Sequence, residues 1–300
     1  MSISRIRLAI LLVVFIGIVG FFSLKKTNQF VPFPINKLKI TTSFYPLAFL
    51  AERIGGSYVT VTNLTPAGAE PHDFEPTTRD IAELTKQDII FLNGGGIEGY
   101  LKNLQKNINP KKTSLIVVGQ PFMSDQKDPH IWLDPILYIK EAEIVAQSLI
   151  KRDPLHTKIY TENMKNLINE LSKLDSNFQT GLHNCSQKNI ITSHKAFGYL
   201  ANRYNLHEVA ITGLSPQDEP SSKTLSDIAT FAKENNIKYI FCEELVSPTI
   251  AETIAREVGA KTLVFNPLEG LTKKDEIAKQ TYITIQKENL ENLQIALNCK

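Results

Sequence analysis

The sequence lacks an excess of basic residues once its first 26 residues are set aside. Residues 1–26 contain four of the 33 lysines and arginines and no acidic residue, so the rest of the chain carries 29 basic residues against 31 acidic ones. Nucleic-acid-binding proteins usually need a strongly basic surface. We therefore expect no nucleic-acid partner.

The N-terminal segment lacks the signals that would mark cleavage or lipidation. An uncharged apolar run occupies residues 8–24, with two arginines before it and two lysines after it. No small-x-small cleavage site lies near its end, and no cysteine follows it directly. The run is near the lower limit for a helix that crosses a bilayer. We predict an uncleaved signal anchor at residues 1–26, a linker at residues 27–36 and an extracytoplasmic location; a cleaved export signal is the alternative.

Cysteine is scarce, so the sequence permits at most one intramolecular disulfide. Outside the cytoplasm, a pair of cysteines can be oxidised. Cys242 ends an apolar strand pattern, and Cys299 is next to the last residue. We predict a Cys242–Cys299 bond that pins the C-terminal helix to a sheet and leaves Cys185 free. Three buried free thiols are the alternative.

Strand and helix patterns alternate along the rest of the chain. Alternation of this kind predicts an α/β fold in which parallel sheets are covered by helices. Two lobes are expected, at residues 37–152 and 185–300, each with a four-stranded parallel sheet flanked by helices. The strand patterns lie at residues 38–42, 58–62, 88–92, 115–118, 189–192, 206–210, 238–241 and 262–265.

One long amphipathic stretch separates the two halves. Its apolar residues recur mostly three or four positions apart, which is typical of one helical stripe. The stripe consists of Leu155, Ile159, Leu167, Leu171, Leu174, Phe178 and Leu182. We predict that residues 153–184 form one long, rigid helix that bridges the lobes.

Three of the six histidines lie beside turn-forming residues in segments far apart in the chain. His72 and His130 each follow a proline, and His194 follows Thr192-Ser193. Each of these segments comes after a predicted strand, and ligands of parallel α/β sheets bind beyond the carboxyl ends of strands. Three imidazoles suit Zn(II) and its first-row neighbours. The pattern predicts a metal site in the cleft between the lobes.

The other three histidines lack this setting. His156 and His183 lie on the predicted long helix, and His207 lies within a predicted strand. A single histidine of this kind is more often a surface or hydrogen-bonded residue than a ligand. We expect these three to have no part in the metal site.

The three histidine motifs also carry a resemblance. They read Gly-x-Glu-Pro-His-x-Phe-Glu-Pro-Thr at residues 68–77, His-x-Trp-Leu-Asp-Pro at 130–135 and Ser-His-x-Ala-Phe-x-Tyr at 193–199. Together they resemble the cluster A-I substrate-binding proteins of metal-ion ABC transporters, the ZnuA-like and TroA-like proteins, over nearly the whole of residues 39–297. This resemblance implies two α/β lobes bridged by one long helix, and an ABC permease with its ATPase as partners.

The resemblance also implies a ligand set. His72, His130 and His194 match the positions of the family's ligands, and manganese-binding members usually carry a glutamate in place of His194. Zn(II) is therefore favoured over Mn(II). The family often has an aspartate after the last strand where this chain has Asn266, so Asn266, Glu70 or water is expected as the fourth ligand. We expect Glu243 to lie just behind the ligands.

Three other functions are compatible with this set of residues. A Mn(II) or Fe(II) receptor of the same family differs only in the metal. A zinc hydrolase also uses three protein ligands and an open position, but the chain has no HExxH motif. A surface adhesin has no adhesive repeat to support it. We predict a monomeric zinc-binding receptor, not an enzyme, that is anchored to the membrane through residues 8–24 and has no His-rich loop at residues 119–128.

Overall fold

The computed structural model describes residues 37–123 and 128–300. The predicted signal anchor and linker lie outside these residues. Among the described helices, none combines the length and the apolar character needed to cross a membrane.

Four parallel strands form one sheet in the first half, in the order β2–β1–β3–β4. Ile40 of β1 pairs with Val61 of β2 and with Ile89 of β3, which sets the register of the sheet centre. All residues of β3 are buried, as expected for a central strand covered on both faces. The strands are β1 (Leu38–Thr42), β2 (Val59–Asn63), β3 (Ile89–Leu92) and β4 (Ser114–Val117).

Helices follow the strands of the first half, and local signals define where two of them begin. Thr77 forms a capping box with Asp80 at the start of one helix. Asp134 caps another, with Pro135 in its first turn. The helices are α1 (Tyr45–Gly55), α2 (Thr78–Leu84), α3 (Leu101–Asn107) and α4 (Pro135–Arg152), with 3₁₀ turns at Gly56–Tyr58, Gln120–Phe122 and Ile131–Leu133.

The second half also has four parallel strands, but they form two hydrogen-bonded pairs where the sequence predicts one sheet. The pairs are β5–β6 and β7–β8. Strand β5 lies beside β7, and the hydroxyl of Ser193 donates to the carbonyl oxygen of Phe241 at 3.2 Å across this junction. The strands are β5 (Asn189–Thr192), β6 (His207–Ala210), β7 (Tyr239–Cys242) and β8 (Lys261–Val264).

The helix predicted between the halves is present. It consists of a 3₁₀ turn at Pro154–His156 followed by α5 (Thr157–Leu182), whose 26 residues span about 39 Å at 1.5 Å per residue. The stripe from Leu167 to Leu182 is buried as predicted. Leu155 is 91 % exposed, because the chain there is still in the 3₁₀ turn and the buried face begins at Tyr160. The remaining helices are α6 (Gly198–Arg203), α7 (Ser222–Glu234), α8 (Thr249–Val258), α9 (Lys273–Ala278) and α10 (Tyr282–Ala296).

The largest apolar core continues through both halves. Trp132 of the first half, Leu171 of α5, and Phe197 and Leu293 of the second half all belong to it. Residues 37–300 accordingly form one compact unit. The domain boundaries at residues 152 and 185 stay a prediction.

The predicted disulfide has the wrong partner. Cys299 is bonded to Cys185, and Cys242 is free. Cys242 lies at the carboxyl end of β7. Cys299 follows α10, and the chain around it pairs in an antiparallel direction with the segment around Cys185, before β5. There, the backbone N–H of Gln187 donates to the carbonyl of Leu297 at 3.1 Å. The bond does pin the end of the C-terminal helix, but to the segment after α5.

Candidate metal centre

Four side chains from distant segments converge at the carboxyl ends of the strands. His72 lies in the loop between β2 and α2, and His130 lies between β4 and α4. His194 comes two residues after β5, and Glu269 lies in the loop after β8. One ligand atom from each lies within 4.8 Å of the other three. Strand direction therefore explains why these four residues meet.

The carboxylate of Glu269 lies at the centre of this group. Its Oε1 atom is 3.1 Å from Nε2 of His72, 3.1 Å from Nε2 of His130 and 3.4 Å from Nε2 of His194. The Nε2 atoms of His130 and His194 are 3.3 Å apart. The group is almost dry, because the side chains of His130, His194 and Glu269 are fully buried and that of His72 is 9 % exposed.

Asp128 orients His130. Its Oδ1 atom accepts from Nδ1 of His130 at 2.8 Å and from the backbone N–H of the same residue at 3.0 Å. With Nδ1 in this hydrogen bond, Nε2 faces Glu269 in the group. A histidine that ligates a metal usually donates its other ring nitrogen to a carboxylate in this way.

Glu243 orients His194. Both of its carboxylate oxygens lie 2.8 Å from Nδ1 of His194, and Oε1 also accepts from the backbone N–H of His194 at 3.2 Å. Glu243 directly follows β7, the strand beside β5. It therefore contacts His194 on the side of the ring away from the Nε2 atoms, and its role behind a metal ligand stays a prediction.

Glu70 lies beside the group and is not part of it. Its Oε1 atom accepts from the backbone N–H of His72 at 3.1 Å and stabilises the turn that carries this histidine. Burial and the nearby negative charge of Glu269 raise the pKa of Glu70 to about 9. Burial therefore favours the neutral form of this carboxyl group in the metal-free protein.

Asn266, one of the residues expected as a possible fourth ligand, hydrogen-bonds to residues outside the group of four. Its Oδ1 atom accepts from the backbone N–H of Leu268 at 2.7 Å, and its Nδ2 atom donates to Oε2 of Glu244 at 2.6 Å. The first of these bonds shapes a turn in which Leu268 has a positive φ of 59°. This turn directs the chain so that Glu269, three residues further on, faces the histidines.

The sequence did not point to Glu269 or Asp128 as part of the site, nor to Trp132 as the residue that joins their loops. The indole N–H of Trp132 donates to the carbonyl of Pro267 at 2.7 Å and holds the loop of Glu269 against the loop of His130. The available signal for Glu269 was its position after the last strand, where a carboxylate can reach the same edge as the histidines. For Asp128, the signal was its spacing of two residues from His130.

The charges in the group reinforce one another. Burial lowers the pKa of His130, but hydrogen bonds with Asp128 and Glu269 outweigh burial and raise it. Burial likewise opposes charge on His194, yet the charges of Glu269 and Glu243 hold its pKa well above the usual range. Burial would raise the pKa of Glu269, and the imidazoles around it instead hold it well below its usual value. The cluster is therefore built to stabilise positive charge beside Glu269.

The remaining histidines lie elsewhere. Nδ1 of His156 contacts Oδ2 of Asp153 at 2.6 Å, and its ring packs on Tyr58. His183 contacts Asn184, and His207 contacts Asn189 through its own Nδ1. The structure brings together only the three histidines that have turn residues before them.

Comparison with known proteins identifies the family. The sequence profile described as "Zinc-uptake complex component A periplasmic" (ZnuA) matches residues 40–296. The chain belongs to the ZnuA family. The description of this family is that of a periplasmic component of a zinc-uptake complex.

Two curated relatives and one solved structure illustrate the match. The high-affinity zinc uptake system protein ZnuA of Bacillus subtilis (strain 168) is 37 % identical over 284 residues, which cover 88 % of this chain and 89 % of the relative. The zinc-binding lipoprotein AdcA of Streptococcus pneumoniae (strain R6) is 34 % identical over 276 residues; the match covers 86 % of this chain and about half, 55 %, of that relative. The Zn(II)-bound ZnuA-like domain of S. pneumoniae AdcA superposes with a TM-score of 0.78 at 35 % identity, over 87 % of this chain and 99 % of that one.

These findings confirm the resemblance and the α/β fold that the sequence predicts. The ZnuA family match covers all four residues of the group, from His72 to Glu269. The name of the family also concerns uptake of zinc, so a hydrolase or an adhesin is not favoured over a transport component.

Proposed function

We propose that this ZnuA-family protein captures Zn(II) outside the cytoplasm and delivers it to an ABC permease with its ATPase. The ion is bound by Nε2 of His72, His130 and His194 and by a carboxylate oxygen of Glu269. His72 and His130 come from the first half and His194 and Glu269 from the second, so the ion joins both halves of the chain.

The separation of the ligand atoms carries this proposal. Four ligands at about 2.0–2.1 Å from a tetrahedral zinc ion lie roughly 3.3 Å from one another. The contacts from Glu269 Oε1 to the three Nε2 atoms measure 3.1–3.4 Å, and the His130–His194 contact measures 3.3 Å. Four of the six separations therefore match the spacing that zinc requires, and all four atoms lie within 4.8 Å of one another.

The donor set favours zinc over harder ions. Three imidazoles and one carboxylate suit a borderline metal, whereas Mn(II) prefers more oxygen ligands. The carboxylate of Glu269 also offsets part of the ion's charge, and Asp128 and Glu243 add negative charge behind the histidines. A Mn(II) or Fe(II) receptor has less support from these residues.

The fourth ligand also favours capture over hydrolysis. A catalytic zinc ion keeps one position open for water or substrate. Here Glu269 takes the position that the sequence left to Asn266, Glu70 or water. A closed, buried set of four ligands suits binding of the ion itself.

The remaining expectations belong to the same proposal. The N-terminal segment anchors the protein at the outer face of the membrane, as the apolar run at residues 8–24 indicates. The protein acts as a monomer that meets its permease from outside. The lipoprotein named among its relatives supports membrane attachment of such a receptor, although by another chemical route.

Metal titration tests the proposal. The purified full-length protein should bind one Zn(II) much more tightly than Mn(II) in calorimetry. Each of three variants should weaken zinc binding: His72→Ala, His130→Ala and His194→Ala. Loss of a residue behind the ligands typically costs roughly 10- to 100-fold in affinity, and loss of a ligand should cost more. His183→Ala is the control, since His183 contacts Asn184 and lies outside the group. Wild-type affinity in all three variants would overturn the proposed site.

A further inference from the structure

Helix α6 lies between the segments that carry the metal ligands. It begins four residues after His194, and its residues Leu200 and Ala201 are buried. From this position, it contacts the loop that carries His130. We call residues 128–134 the His130 loop.

The first contact holds the beginning of the His130 loop. The hydroxyl of Tyr199 donates to the carbonyl oxygen of Asp128 at 3.0 Å. The approach is close, because a Cβ atom on Gly198 would lie 3.1 Å from Oδ2 of Asp128. Asp128 in turn orients both the ring and the backbone of His130. Tyr199 therefore holds the residue that holds the ligand.

The second contact holds the end of the same loop. The Nε atom of Arg203 donates to Oδ1 of Asp134. The same oxygen accepts from the backbone N–H of Ile136 at 2.9 Å and from that of Leu137 at 3.3 Å, which caps α4. Arg203 thus fixes the end of the loop and the start of α4 together.

The residue before α6 reaches the third ligand segment. The ring of Phe197 stacks on that of Phe265, with centroids 3.7 Å apart and planes 12° from parallel. Phe265 leads directly into the turn that carries Glu269. The segment from Phe197 to Arg203 thereby contacts the loops that carry His130 and Glu269. It also follows His194 closely in the sequence.

We propose that Tyr199 and Arg203 are positioning residues that clamp the His130 loop against the second half of the protein and so set the affinity for zinc. This inference rests on the proposed zinc binding by His72, His130, His194 and Glu269. A metal site works only when its ligands are held within about 0.5 Å of the required geometry. When the clamp is lost, zinc must order the His130 loop as it binds, and the ordering free energy is subtracted from its affinity.

Single hydroxyl deletions provide the test. Tyr199→Phe removes the hydroxyl that donates to Asp128 and keeps the ring, and we expect the zinc dissociation constant of the full-length protein to rise by at least about 3- to 10-fold, the effect of one lost hydrogen bond. Tyr204→Phe is the matched control. The hydroxyl of Tyr204 donates its hydrogen bond to Oδ1 of Asp175 on α5 at 2.9 Å, and not to a residue of the His130 loop. Its removal should lower the melting temperature slightly and leave zinc affinity unchanged.

A second pair of variants and a spectrum separate positioning from general stability. Arg203→Met should weaken zinc binding more than Arg203→Lys, which keeps the charge beside Asp134. The visible spectrum of the Co(II)-substituted protein, which reports the coordination geometry, should change in Tyr199→Phe and stay the same in Tyr204→Phe.

Each outcome decides one question. The clamp is rejected if Tyr199→Phe and Arg203→Met bind zinc as the wild type does, or if Tyr204→Phe loses as much affinity as Tyr199→Phe. If the wild-type protein itself does not bind zinc in the same titration, the proposed function fails and not the clamp alone.

Discussion

The Nε2 atoms of His130 and His194 lie 3.3 Å apart, although 64 positions separate these residues in the sequence. His130 follows β4 and His194 follows β5, and the 26-residue helix α5 lies between them in the sequence. Their meeting requires the two halves to be aligned to within a fraction of an ångström. The continuous core and the hydrogen bonds behind each histidine provide that alignment.

The identity of the fourth ligand gives the first prediction. Glu269→Gln keeps the size of the side chain but removes its charge, so zinc affinity should fall by more than about 10-fold, the lower end of the effect expected behind the ligands. Glu70→Gln is the matched comparison, because it makes the same change in a carboxyl group that contacts the backbone of His72 and lies outside the group of four. It should change affinity little in the same calorimetric titration. An equal or larger loss in Glu70→Gln would assign the fourth position to Glu70 instead.

The carboxylates behind the histidines give the second prediction. Asp128→Asn and Glu243→Gln each remove a negative charge that orients an imidazole, and zinc affinity should fall about 10- to 100-fold. Glu244→Gln serves as the control, since Glu244 accepts a hydrogen bond from Asn266 and contacts neither histidine. Competition with a zinc-binding dye measures all three dissociation constants. Unchanged affinity in both Asp128→Asn and Glu243→Gln would contradict the assigned roles.

The sequence predicts that His72, His130 and His194 meet, because each of them has a local mark in the sequence. Pro71 and Pro129 restrict the backbone before two of them, and all three follow strands whose direction can be inferred. Glu269 has no such mark, and its direction depends on the positive φ of Leu268 and on hydrogen bonds of Asn266. These features exist only in the folded turn. The resemblance pointed to Asn266 in the same loop, three positions before Glu269.

The disulfide and the second sheet were less predictable for the same kind of reason. Cys242 and Cys299 each lie at the end of an element. Only the folded structure shows that Cys242 is at the carboxyl ends of the strands and Cys299 near their amino ends. Cys185 meets Cys299 through a short antiparallel contact with no pattern of its own. Likewise, the sequence patterns predict four parallel strands in the second half. They do not show that β5 and β7 lie side by side without forming one hydrogen-bonded sheet.

The raised pKa values of His130 and His194 predict proton-linked zinc binding. The raised pKa values favour protonated imidazoles in the metal-free protein, and zinc must displace these protons to bind. Affinity should therefore fall as the pH is lowered, and calorimetry in buffers of different ionisation enthalpy should detect proton release. Zinc binding that releases no protons and has the same affinity at every pH would contradict these shifts.

The same shifts fix the sign of the effect on stability. Because the folded pKa of each imidazole is raised, its contribution to the stability of the metal-free protein is complete below about pH 6.5, the unfolded value. It is lost as the pH rises through the folded pKa. The contribution of Glu269, whose pKa is lowered, is present above its unfolded pKa of about 4.3 and is lost at more acidic pH. Unfolding by urea across the pH range measures both.

The Cys185–Cys299 bond predicts a stability effect that is separate from metal binding. It closes a loop of 114 residues, so Cys299→Ser should lower the free energy of unfolding by about 2–4 kcal/mol. Zinc affinity should be unchanged, since the bond lies at the opposite ends of the strands from the site. Cys242→Ser is the control and should leave stability nearly unaffected by comparison. A thiol assay should find one free cysteine in the oxidised protein, and a count of three would contradict the bond.

X-ray absorption at the zinc edge tests the central claim most directly. For the full-length protein loaded with one equivalent of Zn(II), we expect four nitrogen and oxygen neighbours at about 2.0–2.1 Å. The outer-shell scattering should require three imidazoles, and it should fall to two in His194→Ala. A sulfur neighbour, six oxygen-type neighbours, or an unchanged imidazole count in His194→Ala would contradict a site made of His72, His130, His194 and Glu269.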